Sequence, residues 1–176
     1  MAIKTSTGTM SKAFFGTSAV KKIYMGSSLV FSAGTPYYTA GTENVDWIQG
    51  SASGVTFNTG DIEISTELTT TTVESYAVTN VLVDLTNINT LKIDWQGSVY
   101  QAVAPGMHLC VSTTKLGTNT TYNARLSGGN VSFARRTDSL DVSGLTGNYY
   151  LRIHTYKRFS SSASQVSLTV YNVWGE

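Results

Sequence analysis

Along most of this chain apolar and polar residues alternate one by one. No window repeats apolar residues at the spacing of an amphipathic helix for three turns. A period of two is the mark of a strand with one buried face, because successive side chains leave opposite sides of the backbone. Leu91-Lys92-Ile93-Asp94-Trp95 shows it, and so does Val166-Ser167-Leu168-Thr169-Val170. Runs of this kind recur roughly eight times, at spacings of about 10–15 residues, which is the density of a two-sheet antiparallel sandwich. At 176 residues the chain is long enough to fill one such core. The chain therefore reads as all-β.

The alternation also assigns faces. Leu91, Ile93, Trp95, Leu109, Val111, Leu151, Ile153, Leu168 and Val170 are expected between the two sheets. His108, Cys110 and His154 fall on the polar side of their strands. Thr59-Gly60 reads as a tight turn between two short strands, and Ser127-Gly128-Gly129 as a hairpin signal. Thr90–Trp95 and Met107–Thr113 read as two separate strands, and Tyr37, Tyr38 and Trp47 fall in loop-like or short-strand contexts.

The first 35 residues differ from the rest. They hold Lys4, Lys12, Lys21 and Lys22 and no acid, whereas residues 36–176 carry a net charge of −3. Gly34-Thr35-Pro36 at the junction gives a boundary, with a segment 1–35 ahead of a sandwich domain 36–176. Ala13–Val20 aligns with Ile23–Val30 at a spacing of ten. Each unit reads as strand, Gly with hydroxyl residues, strand. Such a unit cannot bury both faces alone. Two outcomes are open: the hairpins pack on the main domain, or they complete their core against another chain. In the second case Phe14, Phe15, Ile23, Tyr24 and Met25 are the docking residues.

The Ile23–Phe31 unit resembles a short hairpin repeat near the N-termini of tailed-bacteriophage structural proteins. Leu91–Trp95, Leu140–Leu145 and Tyr149–Ile153 are similar to stretches of small jelly-roll domains at the ends of such proteins, which look like carbohydrate-binding modules. The resemblance implies a jelly-roll-like β-sandwich with a small N-terminal β-hairpin segment. It also implies a non-enzymatic virion component (tail, baseplate, fibre or capsid decoration). Its partners would be other virion proteins and copies of itself, a homotrimer being favoured. A carbohydrate-binding module for a host-surface glycan is the alternative, and a small glycan hydrolase a third reading.

The chemistry in the residues is sparse. Twelve basic against eleven acidic residues give no basic excess for nucleic acid. No apolar run is long enough to span a bilayer, so no membrane insertion is expected, and the first ten residues lack the apolar stretch of a secretory signal. One cysteine, Cys110, allows no internal disulfide. Gly50-Ser51-Ala52-Ser53-Gly54 has Ala where a nucleophile elbow needs Ser, and no phosphate-binding glycine loop is present. No residue is assigned a catalytic role. Asp61 and Glu63 share one strand face, at a spacing a glycosidase pair could use. With Asp46 they are also the only candidates for a calcium site, and they lack a dense ligand loop. No cofactor is expected otherwise. Sugars stack on aromatic rings while polar groups orient their hydroxyls, so the glycan-binding candidates are Trp47, Tyr122, Arg125, Arg135, Arg136 and Phe159.

Overall fold

A computed structural model describes residues 13–15, 18–20, 22–25, 28–32, 34–39, 41–51, 54–115 and 129–176, with side chains from Gly34 onward, Thr42 excepted. The described residues contain strands and no helix. β1 (Ala13–Phe15) and β2 (Ser18–Val20) pair antiparallel, and so do β3 (Lys22–Met25) and β4 (Ser28–Ser32). Each pair is a two-stranded sheet of its own.

The remaining strands form one antiparallel sheet. They are β5 (Thr35–Thr39), β6 (Thr42–Glu43), β7 (Trp47–Gln49), β8 (Val55–Phe57), β9 (Ile62–Ser65), β10 (Val73–Thr79), β11 (Val83–Asp84), β12 (Thr90–Ser112), β13 (Gly129–Asp141), β14 (Asn148–Arg158) and β15 (Gln165–Gly175). β12 is the fold's spine. Its first half pairs with β13 on one side and β15 on the other, while its second half pairs with β14. β15 continues the first layer to β5 and β9, and β14 continues the second to β10 and β7. The single sheet thus folds over at the middle of β12 into two layers, nearly closed on itself, and the fold is a jelly-roll-like β-sandwich.

The bend has a visible backbone cause. Register shifts fall between Val99 and Ala102 and between Val103 and Gly106. Gln101 (φ 49°) and Ala104 (φ 44°) sit in the left-handed region, which a Cβ disfavours. Bulges of this kind turn a strand from one sheet into another. Past the bend the two halves of β12 face each other. A Cβ on Gly97 would lie 2.6 Å from Met107 Sδ and 2.9 Å from the Ser167 carbonyl oxygen. A side chain here would press on Met107 of the second layer and on the neighbouring β15 backbone.

All nine residues expected between the sheets are buried there, Trp95 largest among them. Met107, Ile62, Ile64, Leu85 and Val166 are among the residues that pack with them. Three expectations need correction. Thr90–Trp95 and Met107–Thr113 belong to one strand. Tyr37 and Tyr38 are not in a loop but in β5, each 2% exposed, with burial pushing the Tyr37 hydroxyl up to about 12, helped by Asp84. Trp47 is a core residue, 3% exposed, its Nε1 donating to the Tyr37 carbonyl at 3.0 Å.

Candidate functional site

The outward side of the first layer is polar by alternation. Lys92, Asp94 and Gln96 of β12 lie beside Trp174, Asn172 and Thr169 of β15. Two bulges break the alternation at one level. Between Asp94 and Trp95 the β15 ladder holds an extra residue, Tyr171. Between Trp95 and Gly97 the β13 ladder sets Ala134 and Arg135 against Gln96 alone. A bulge re-aims the side chain it carries. Here one bulge on each flank of β12 brings Arg135 and Tyr171 to the same spot, with the guanidinium carbon 3.9 Å from the ring centroid.

Asp94 holds the pair together. Arg135 Nε donates to its two oxygens at 3.0 and 3.2 Å, and Nη2 donates at 2.5 Å. Asn172 Nδ2 donates from the other side at 2.9 Å. Burial alone would raise the Asp94 carboxyl, but the hydrogen bonds from Arg135 and Asn172 outweigh it and hold the group below the usual carboxylate range. Further along the face Lys92 Nζ meets Glu176 Oε2 at 2.6 Å, and Trp174 Nε1 donates to Glu176 Oε1 at 3.0 Å. The strip therefore carries fixed donors, fixed acceptors and two aromatic side chains, with each cation matched by a carboxylate.

The expected glycan residues divide. Arg135 belongs to this strip. Arg136 instead turns inward at the edge of the sandwich. Its guanidinium carbon lies 4.7 Å from the Trp95 ring, and Asp138 accepts from both Arg136 Nε (3.1 Å) and Trp95 Nε1 (2.9 Å). It lies on the Trp95 side of the edge strand β13, 46% exposed, where a charge discourages edge-to-edge pairing. Buried Trp47 offers no ring face to a sugar. Phe159 is 66% exposed but lies in the β14–β15 loop, away from the strip. Tyr122 and Arg125 lie outside the described residues, as do the side chains of Phe14, Phe15, Ile23, Tyr24 and Met25. The alternation put Asp94, Tyr171 and Asn172 on strands and gave no hint that they converge.

Two other groups of polar residues lie away from the strip. Asp61 Oδ1 accepts from Asn58 Nδ2 at 2.8 Å in the β8–β9 turn, and Glu63 is exposed on β9. Among the described residues no three His, Cys, Asp or Glu side chains converge so as to hold a metal ion. His108 and His154 lie on the outward side of the second layer as cross-strand neighbours, ring centroids 5.6 Å apart. Glu74 Oε1 contacts Arg152 Nη2 and lies 3.1 Å from His154 Nε2, while Arg152 stacks 3.5 Å from the centroid of Tyr76. Arg152 and His154 are buried, so this is a packed ion-pair stack on the sheet.

No protein-family model matches the chain, and no curated protein matches it significantly.

Proposed function

We propose that the chain is a non-catalytic structural module displaying a jelly-roll-like sandwich, a virion component of the kind its N-terminal repeat resembles, and that the strip around Asp94 binds a glycan. The paired bulges carry the glycan reading. Two neighbouring bulges cost ladder hydrogen bonds, and their product is a guanidinium stacked on a phenol ring beside an anchored carboxylate and amide. A pyranose offers both an apolar face and a set of hydroxyls, and such a shelf meets both without reorganising. The matched charges of Lys92–Glu176 and Arg135–Asp94 favour a neutral sugar over an acidic one. Support for the virion setting is the resemblance of Ile23–Phe31, together with the separate antiparallel pairing of β1 with β2 and β3 with β4.

A glycan array on the whole chain, followed by calorimetry on the hits, tests the binding role. Asp94→Asn and Tyr171→Ala should each weaken the best hit by roughly tenfold or more, as loss of a central polar or aromatic contact does, with the far-ultraviolet dichroism of the folded sandwich retained; Asp94→Asn should also lower the melting temperature at neutral pH, because the carboxylate that Arg135 and Asn172 donate to is lost. An array with no hit above background removes glycan recognition and leaves the structural role. Release of reducing ends from a bound glycan would favour the hydrolase reading. Mass spectrometry of purified particles checks the virion setting.

A further inference from the structure

Four large apolar side chains stand in water at one end of the sandwich, where β12 bends. Leu68, Tyr100, Val103 and Phe159 are between 49% and 66% exposed. Val103 pairs with Arg158, next to Phe159, and Tyr100 pairs with Gln165 of β15. Thr69, next to Leu68, bridges to Ser164. Three segments meet there: the bend, the β9–β10 loop and the β14–β15 loop. Side chains from three separate segments crown an end rather than line a groove.

The polar groups beneath this crown are taken up inside the protein. Phe159 N donates to Thr72 Oγ1 at 3.0 Å, and Gln101 N to Asn130 Oδ1 at 2.8 Å. Ser160 N donates to the Thr70 carbonyl and Ser164 N to the Thr69 carbonyl, each at 3.0 Å. Lys157 lies below them, fully buried. Its Nζ donates to the Thr69 carbonyl (2.5 Å), Thr69 Oγ1 (3.2 Å) and Ser164 Oγ (3.3 Å), so its three N–H groups meet three oxygens. Backbone that leaves water for hydrocarbon must be satisfied internally, because lipid tails offer no hydrogen bonds. These loops meet that condition.

The charge around the crown points to the same occupant. Lys157 and Arg158 stand with one carboxylate, Glu67, which leaves one positive charge over at this end. Arg158 is exposed and meets no carboxylate within ion-pair range among the described residues. A guanidinium suits a phosphate, and its long stem lets the charge stay at the wet side of a boundary while apolar neighbours enter it. The rim is hydroxyl-rich, with Thr70, Thr71, Thr72, Ser161 and Ser162 exposed. Tyr100 joins an apolar ring to a polar tip, the build of side chains that settle at membrane–water interfaces.

We propose that this end is a membrane-contact tip, which seats Leu68, Val103 and Phe159 at the headgroup–acyl boundary of a bilayer carrying anionic lipid and sets Arg158 against a lipid phosphate. The contact lies in the interface and requires no spanning segment. The tip and the Asp94 strip are separate surfaces, and this contact does not depend on glycan binding.

Flotation of the whole chain with vesicles tests it, using phosphatidylcholine alone and phosphatidylcholine mixed with phosphatidylglycerol. Wild type should float with the mixed vesicles and roughly several-fold less with phosphatidylcholine alone. Leu68→Ser with Phe159→Ser should weaken binding to the mixed vesicles by roughly tenfold or more, while far-ultraviolet dichroism stays that of wild type. Arg158→Gln should remove most of the preference for phosphatidylglycerol. Phe159→Trp should bind like wild type and add fluorescence that shifts to the blue on vesicles, which reports this position entering the boundary. Asp94→Asn should float like wild type, which separates the tip from the strip. Wild type that floats with neither vesicle, a serine double variant that binds unchanged, added fluorescence that does not shift, or a phosphatidylglycerol preference that survives Arg158→Gln would each overturn the proposal. So would tip-dependent self-association in sedimentation velocity without vesicle binding.

Discussion

A carboxylate that accepts hydrogen bonds from cationic neighbours resists protonation, and that resistance becomes stability. At Glu74 the hydrogen bond to His154 leads, and the charges of His154 and Arg152 add to it. Together they outweigh burial and lower the carboxyl from its ordinary 4.5. Asp94 is lowered from 3.8 in the same way by Arg135 and Asn172. A depressed carboxylate contributes stability that is fully present above its unfolded value and disappears as pH falls through its folded one. Melting temperature should therefore hold between neutral pH and about 5, then fall, as acid denaturation of paired carboxylates does. Glu74→Gln should flatten the Glu74 share of that acid limb. It should also cost about 1–3 kcal/mol at pH 7, because buried Arg152 loses its carboxylate. The figure sits below that for a fully buried pair because the Glu74 side chain is 37% exposed and water screens it. Thermal melts from pH 7 to pH 2 read both effects, and an acid limb unchanged by Glu74→Gln contradicts the assignment.

β12 concentrates opposite backbone demands within a few residues. Gly97 must lack a Cβ because Met107 and the Ser167 carbonyl stand where one would go. Gln101 and Ala104 carry a Cβ in a conformation that penalises it by ~1–2 kcal/mol each. Gly97→Ala should destabilise the fold by the ~1–3 kcal/mol typical of overpacking, read as a lower melting temperature. Ala104→Gly should leave it unchanged or raise it, since relief of strain exceeds the ~0.5–1 kcal/mol of added chain entropy. A marked loss of stability in Ala104→Gly would show the bend to be unstrained. The same strand marks what was legible in the sequence. The alternation of Leu91–Trp95 and of Leu109–Val111 gave both buried faces. The link between them, Gln96 to Gly106, breaks the period and so read as a connection, because a strand that changes sheets through bulges loses its pattern at the turn. The site was half legible for a related reason. Alternation pointed Asp94 outward, but the bulges that bring Arg135 and Tyr171 together are differences in register with β13 and β15, and register depends on partners distant in the chain. Tyr37 and Tyr38, flanked by Thr and Pro, carried no alternation at all, and packing alone made them core.

Because one strand runs through both layers, the two sheets cannot separate without breaking β12 from its partners. Trp95 in the first layer and Ile153 in the second belong to one continuous core, joined by Met107, Leu109 and Leu168. A core of this kind should unfold as one unit. Ile153 is fully buried, and Ile153→Ala removes side-chain volume where a rigid double layer cannot collapse to fill it. The expected cost is ~2–5 kcal/mol. The loss must then appear equally in both layers. Far-ultraviolet circular dichroism follows all strands, while tryptophan fluorescence follows buried Trp95 in the first layer and buried Trp47 in the second. In urea the two signals should trace one transition in the wild type and shift together in Ile153→Ala, with the slope unchanged. If dichroism and fluorescence separate, or if the mutation moves only one of them, the layers are independent and β12 is a tether between two domains.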